Sequence, residues 1–344
     1  MLGAGARHLI VHLGGALVAC AVACAVPVLA APVLAAHWPL VLTPVALISL
    51  AVLIAFVGKL ARWIRAPVPF RIPLIVGQQH GLASIPQSPT GSPRSLFQVA
   101  LRVLLDVLLF RPLFRATPSA PSLGRGLSHG MARSLWLTAA LFHGSLALVL
   151  LRHLRLFLEP APGFVGALER FDLASEMVLP KLSVTGLSLL LALVILLGRR
   201  LLLARLRTIS LASDYFPLLL LLAIAATGLV MRHVTRTDVT AVKQFSASLA
   251  NGTVALPAPV DVWLLVHVFL AGGLLAYFPL SKLMHFPGAL LSPTLGMANL
   301  NRERRHVNPR NPKVVTVPYA EYEAKFRERM IEAGLPVEQA AKDL

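Results

Sequence analysis

Charge is scarce in this sequence. Asp, Glu, Lys and Arg make up 14% of its 344 residues, where soluble domains average about a quarter. None of the four occurs between Arg7 and Lys59. With 56% hydrophobic residues, the chain reads as an all-α integral membrane protein, not as a water-soluble fold. Acidic residues are the scarcer kind, 15 against 32 basic, for a net charge of +17. In a soluble protein that excess would suggest nucleic acid. Here it reads as basic cytoplasmic loops beside anionic lipid, and no zinc-finger or RNA-binding motif is present. Cysteine is almost absent. Cys20 and Cys24 are the only two, one helical turn apart, and no CxxC or CxxCH occurs. The chain should therefore hold no iron–sulfur cluster and no c-type haem of its own; cluster chemistry would belong to a partner. Both cysteines read as small buried hydrophobes.

A membrane span takes about 20 apolar residues. The uncharged N-terminal stretch is too long for one helix, and "AHWPLVLTP" (36–44) breaks it, with Pro39 and Pro44 ending helical continuity. Helices are expected at 9–35 and 42–63. Four more uncharged windows follow: Arg133 to Arg152, Lys181 to Arg199, Asp214 to Arg232 and Asp261 to Lys282. The expected architecture is thus a six-helix transmembrane bundle. Arg7, the apolar run and "VLAAPVLAA" also resemble a signal peptide. Its hydrophobic stretch would normally be about 7–15 residues, so an uncleaved helix is favoured; cleavage would leave five.

Loop charge orients the bundle. The segment after the second helix carries Lys59, Arg62, Arg65, Arg71, Arg94, Arg102, Arg111, Arg115, Arg125 and Arg133 against Asp106. Arg199, Arg200, Arg205 and Arg207 mark another basic loop, and Arg302 to Lys313 a third. These face the cytoplasm, as do both termini. The loop with Glu159, Glu169, Asp172 and Glu176 faces outward. The chain divides into two N-terminal helices (1–64), a basic cytoplasmic loop (65–130), a four-helix domain (131–290) and a cytoplasmic tail (291–344). Within the loop, "SLFQVALRVLLDVLLFRPLF" (95–114) reads as a helix lying in the membrane interface, with Arg102 and Asp106 as i,i+4 partners. In the tail, "YAEYEAKFRERMIEAG" reads as a short helix on a docking surface.

Eleven histidines are present. Seven lie in loops or near helix ends, and for His12 and His233 interfacial hydrogen bonding is expected. The other four sit in apolar helix: His143 and His153 on the third span, His267 and His285 on the sixth. An intramembrane imidazole is costly and usually functional. The two spans run in opposite directions, so His143 and His285 both lie toward the cytoplasm, and His153 and His267 toward the outside. Two cross-helix pairs at two depths would supply axial ligands for two b-type haems. Spacing supports this in part. Eighteen residues is five full turns, so His267 and His285 share a face, whereas ten residues leaves His143 and His153 roughly 80° apart. The rises differ too, about 15 Å against about 27 Å, unless tilt or a bend at Pro279 reconciles them. On the residues alone, haem ligation and simple bonding between helices both stand. Zinc is disfavoured, since no tight HxxxH or nearby cysteine occurs.

"LFHGSLALVLLRHLRLFLEP" and "HVFLAGGLLAYFPLSKLMH" resemble the haem-binding helices of the gamma (cytochrome b) subunits of respiratory nitrate reductases. "RAPVPFRIPLIVGQQ", "VLLFRPLFR", "SKLMHFPGALLSPT" and "RRHVNPRNP" resemble the DsrM family, membrane subunits of the Dsr sulfur-metabolism complex. The resemblance implies a four-helix di-haem core and two haems b, on His143 with His285 and on His153 with His267. It implies electron exchange with a quinone, menaquinone or ubiquinone, in the cytoplasmic membrane of a bacterium or archaeon. It implies a DsrK-like cytoplasmic iron–sulfur partner similar to heterodisulfide reductase and acting on DsrC. A DsrJ-like triheme cytochrome c, a DsrO-like ferredoxin and a DsrP-like membrane subunit would complete the assembly. By the same resemblance Lys181 is the candidate quinone contact, with an interfacial lysine as the alternative. Arg152, beside His153, is a candidate for a haem propionate; Glu159 and Glu176 are weak candidates for proton transfer. Lys282, Arg304 and Arg305 suit propionates, partner acids or positive-inside topology equally. Two rival functions are a proton-coupled transporter and a haem-free membrane anchor. Against the transporter, the sequence shows no internal repeat or matched pair of broken helices.

Overall fold

A computed structural model describes residues 4–36, 38–66, 88–115, 129–178, 183–251, 261–292, 296 and 316–338. Among them every regular element is a helix. Among the described residues five helices are long and apolar enough to cross a membrane: Gly5–Ala30, Arg133–Leu156, Val184–Leu202, Ala212–Thr235 and Val262–Leu280. They belong to α1 (Ala4–Ala36), α5 (His129–His153), α7 (Val184–Leu202), α9 (Ala212–Val230) and α11 (Val262–Tyr277). The sixth expected span, 42–63, lies inside α2 (Trp38–Arg65), a 28-residue helix whose side chains over 38–47 lie outside the described residues. His37, between α1 and α2, lies outside the described residues, and the expected break at 36–44 falls largely within α2. Pro39 sits in the first turn of α2, where a missing N–H costs nothing, while Pro44 lies further inside the helix.

α9 is the central helix. It packs on α1, α7 and α11, and α7 carries α5 on its other side. Ala16 and Cys20 of α1 close on Tyr215 and Leu219 of α9; small side chains permit that approach. Leu189 and Leu193 of α7 meet Leu221 of α9 and Phe142, Leu146 and Val149 of α5. Leu220 of α9 packs on Val266 and Leu270 of α11. Direct backbone contact between α5 and α11 is slight. Those two helices carry three of the four intramembrane histidines.

Three expectations need correction. The interfacial helix at 95–114 is two pieces, α3 (Leu96–Leu108) and α4 (Arg111–Arg115), because Phe110 takes a left-handed φ of 51° between them. Ser95 caps α3 by accepting from the Gln98 N–H, and Gln98 accepts from the Arg94 N–H. The loops expected to face outward contain helices of their own, α6 (Gly163–Val178) and α10 (Val239–Ala250), and the loop expected on the cytoplasmic side contains α8 (Ala204–Ile209). Third, the sixth span is not continuous to His285. α11 ends at Tyr277, two 3₁₀ turns cover 278–280 and 282–284, and His285 opens α12 (His285–Leu291). Pro279 removes a donor and Ser281 is extended and caps the next turn. The five-turn argument for a shared face therefore does not apply. The tail helix is α13 (Tyr319–Glu332).

The break near Pro279 frees a carbonyl in an apolar setting. Lys59 of α2 fills it: its Nζ donates to the Pro279 carbonyl at 2.8 Å. α2 also packs on α11 and α12. Lys59→Met should thus lower stability by about 1–2 kcal/mol, read as an earlier thermal transition of the detergent-solubilised protein; an unchanged transition would mean that water satisfies this carbonyl.

Candidate functional site

The structure brings the four histidines together as two pairs. The rings of His143 and His285 lie 6.1 Å apart between centroids, with planes at 83°. Those of His153 and His267 lie 6.4 Å apart, nearly parallel at 11°. His153 and His285 are exposed on the helix surface, while His143 and His267 are half-buried.

The Nδ1 bonds fix what each ring can do. His143 Nδ1 donates to the Ala139 carbonyl at 2.8 Å and His153 Nδ1 to the Val149 carbonyl at 2.7 Å, each one turn back in α5. His285 Nδ1 donates to the Lys282 carbonyl at 3.1 Å. A carbonyl only accepts, so Nδ1 carries the proton and Nε2 keeps its lone pair. His267 reaches the same state through α9. The Thr227 hydroxyl donates to the Ile224 carbonyl at 3.0 Å, so its oxygen accepts from His267 Nδ1 at 2.9 Å. All four imidazoles thus present Nε2 as a base, with Nδ1 anchored as metal-ligating histidines usually have it.

The distances fit a metal between each pair. Two imidazole nitrogens each about 2 Å from a metal, with ring centroids about 1 Å further back, place the centroids about 6 Å apart. The observed 6.1 and 6.4 Å match that figure. Among the described residues no group of three or more His, Cys, Asp or Glu gathers for a metal ion. Two protein ligands per site suit iron whose other ligands come from a macrocycle, as in haem.

Gly228 lets α9 approach the outer pair closely. A Cβ there would come within 3.3 Å of His267 Cε1 and 3.8 Å of its Nδ1, so α9 passes beneath the ring with no side chain between. The inner pair is walled by aromatics: Phe110 lies 4.9 Å from the His143 ring at 37°, and Phe142 lies 4.8 Å away at 75°.

Beside the outer pair lies a buried ionic network. Asp172 of α6 is fully buried. It is paired with Arg152 and, at 3.4 Å, with Arg232, which stands in a π-helical turn, Met231–Thr235. Ser183 Oγ donates to it at 2.6 Å, and the Thr185 N–H at 3.2 Å. Burial pushes its carboxyl up, but the Ser183 and Thr185 hydrogen bonds and the two guanidinium groups outweigh this and hold it below the ordinary carboxylate value. Four elements are tied together there: α5, α6, α7 and the π turn. Arg152, expected at a propionate, spends its charge on Asp172 and Thr185. Its Nε is buried with no hydrogen-bond partner among the described residues, one donor suited to a carboxylate.

Other expected residues are distributed more widely. Lys181, Arg304 and Arg305 lie outside the described residues, as does the side chain of Glu176. Lys282 pairs with Asp214 at 2.6 Å, and Glu159 with Lys243 at 2.6 Å. His12 accepts from the Ala212 N–H, and His233 from the Ser183 N–H, both ordinary interfacial hydrogen bonds. Thr227, Gly228, Asp172 and Phe110 were not picked out by sequence reasoning. Each acts through a partner at least 11 positions away, as in Asp172 with Ser183. Only the notice taken of "VLLFRPLFR" pointed at one of them.

Residues 128–295, which hold all four histidines, match the nitrate reductase gamma subunit family. A relative from Archaeoglobus fulgidus, named Hdr-like menaquinol oxidoreductase cytochrome b-like subunit, is 40% identical over 286 residues, covering 79% of this chain and 85% of its own length. One of the same name from Archaeoglobus profundus is 40% identical over 268 residues, 75% of this chain and 79% of its own. No solved structure matches.

Two substitutions probe the site without touching a histidine. Gly228→Ala should displace the His267 ring and cost about 1–3 kcal/mol, although alanine favours a helix; a gain in thermal stability would show that the ring yields freely. Asp172→Asn removes the charge between two arginines and should cost about 3 kcal/mol. Because the Asp172 carboxyl titrates below its ordinary 3.8, its contribution is complete above that pH and is lost as pH falls through the lower folded value. The wild type should lose stability in that acid window, and the asparagine variant should show a smaller loss there. Identical acid profiles would contradict the assignment.

Proposed function

The chain belongs to the family of Hdr-like menaquinol oxidoreductase cytochrome b-like subunits, multi-pass membrane cytochromes b of quinone-linked electron transfer, and from that premise we propose that it links the quinone pool to a cytoplasmic iron–sulfur partner through two haems b. The observation that carries this reading is the pair of histidine pairs, each at bis-imidazole separation with every Nδ1 anchored. His143 with His285 would hold the inner group and His153 with His267 the outer. Haem supplies one-electron chemistry and the protein sets position and access.

The chain's own residues would divide the work. Ala139, Val149, Lys282 and Thr227 fix the imidazole tautomers. The Asp172 network keeps the ends of α5, α7 and α9 together around the outer pair. A quinol beside that pair gives up two electrons and two protons, and Lys181, at the start of the fourth expected span, is the proposed contact for its oxygen. The relatives' name favours menaquinol over ubiquinol. At the inner end, the basic loop and the tail suit a partner with acidic edges, and positive-inside topology keeps both termini cytoplasmic. The Hdr-like name supports a heterodisulfide-reductase-like partner. The motifs shared with the DsrM family support the finer reading: a DsrK-like partner, the DsrJ-, DsrO- and DsrP-like subunits, and a role in sulfur metabolism.

Single replacements test the ligand assignment. Purified wild type should contain two haems b per chain by pyridine haemochrome. His143→Ala or His285→Ala should lose one, and His153→Ala or His267→Ala the other, giving one each. A histidine variant that keeps two would break its pair, and a folded wild type made with ample haem yet binding none would favour the anchor reading.

A further inference from the structure

Phe110 occupies a backbone position that suits glycine. Its φ of 51° is left-handed, a conformation L side chains rarely adopt. Neighbouring contacts hold it there. The Trp136 indole N–H donates to the Leu109 carbonyl at 2.7 Å, and Phe114 meets the Trp136 ring edge-on at 5.1 Å. Asp106 accepts from Arg111 at 2.7 Å and from Arg102 at 3.4 Å, clamping α3 to α4. Arg111 reaches back to the Thr90 carbonyl at 3.2 Å. This elbow is the "VLLFRPLFR" stretch, and the fold alone gives no reason for an aromatic at its apex.

The reason lies across the gap. The Phe110 ring stands 4.9 Å from the His143 ring. Phe142 meets the same imidazole edge-on from within α5, and the Ala139 carbonyl holds its Nδ1. Three contacts thus fix the plane of His143, and it lies at 83° to that of His285. Among the described residues no other aromatic ring stacks on the outer pair, whose planes lie at 11°.

We propose that Phe110 is a positioning residue for the inner redox centre: the elbow between α3 and α4 presses its ring on His143, holds the two inner imidazoles crossed, and keeps water from that ligand. The proposal rests on the reading of His143 and His285 as haem ligands. Crossed and parallel imidazole planes give different low-spin ferric spectra, a large-g signal for crossed planes and a rhombic one for parallel planes. Shielding from water favours the reduced, less charged form and raises the potential.

The test uses the full-length, haem-loaded protein with Phe110→Gly, Phe110→Ala and Phe110→Trp, read by low-temperature EPR and redox titration. Wild type should show one large-g and one rhombic signal, and the large-g signal should vanish in His285→Ala. Phe110→Gly relaxes the backbone yet removes the ring, so it should fold at least as well as Phe110→Ala. Both should move the large-g signal toward the rhombic type and lower one potential, leaving the other unchanged. Phe110→Trp should keep the wild-type signal. If Phe110→Gly restores wild-type behaviour, only backbone strain matters and the proposal falls; it falls equally if glycine and alanine leave signal and potential unmoved while two haems stay bound. A wild type with no haem lost on replacing His143 or His285 would instead overturn the ligand reading, and this proposal with it.

Discussion

An imidazole inside a membrane must have both nitrogens accounted for, and this constraint organises the molecule. A stray N–H or lone pair in hydrocarbon is costly. Three of the four rings settle the first nitrogen locally, on a carbonyl three or four residues back, and His267 settles it on Thr227 of α9. What remains on each ring is a basic Nε2, and the rings come together in two pairs with centroids 6.1 and 6.4 Å apart. Helices that packed directly would have no use for such rings. Here α5 is carried by α7, α11 by α9, and the pairs bridge what is left.

The two ends of this space are built differently. At the His143–His285 end the imidazoles stand among aromatic rings, beside a break in the sixth span that Lys59 of α2 stabilises. At the outer end the histidines sit beside Asp172, with two arginines and two hydroxyl donors locked round one buried carboxylate. An apolar wall suits a centre that meets a protein partner. A polar, partly charged shell suits a centre whose substrate releases protons. The sequence already placed basic loops at the first end and the acidic segment at the second.

Much of this was legible in the sequence, and the limits have physical causes. Uncharged windows locate helices because hydrocarbon excludes charge, so among the described residues five spans appear where expected. The histidine spacings stood out because polar residues are rare there. The sixth span was harder. Eighteen residues suggested one straight helix through His285, whereas Pro279 and Ser281 turn the chain twice before it. The helix at 95–114 has an unbroken apolar pattern, and only the backbone of Phe110 shows that it bends. Thr227, Gly228 and Asp172 carry no local signal at all. Each is an ordinary helix residue until a partner from another helix arrives.

Potentiometric titration of the α-band of the purified chain tests the central claim most directly. Two histidine pairs in unlike surroundings predict two resolved one-electron steps of equal size, one centre titrating apart from the other. A single one-electron step, or no b-type absorbance in a folded protein made with ample haem, would contradict the account.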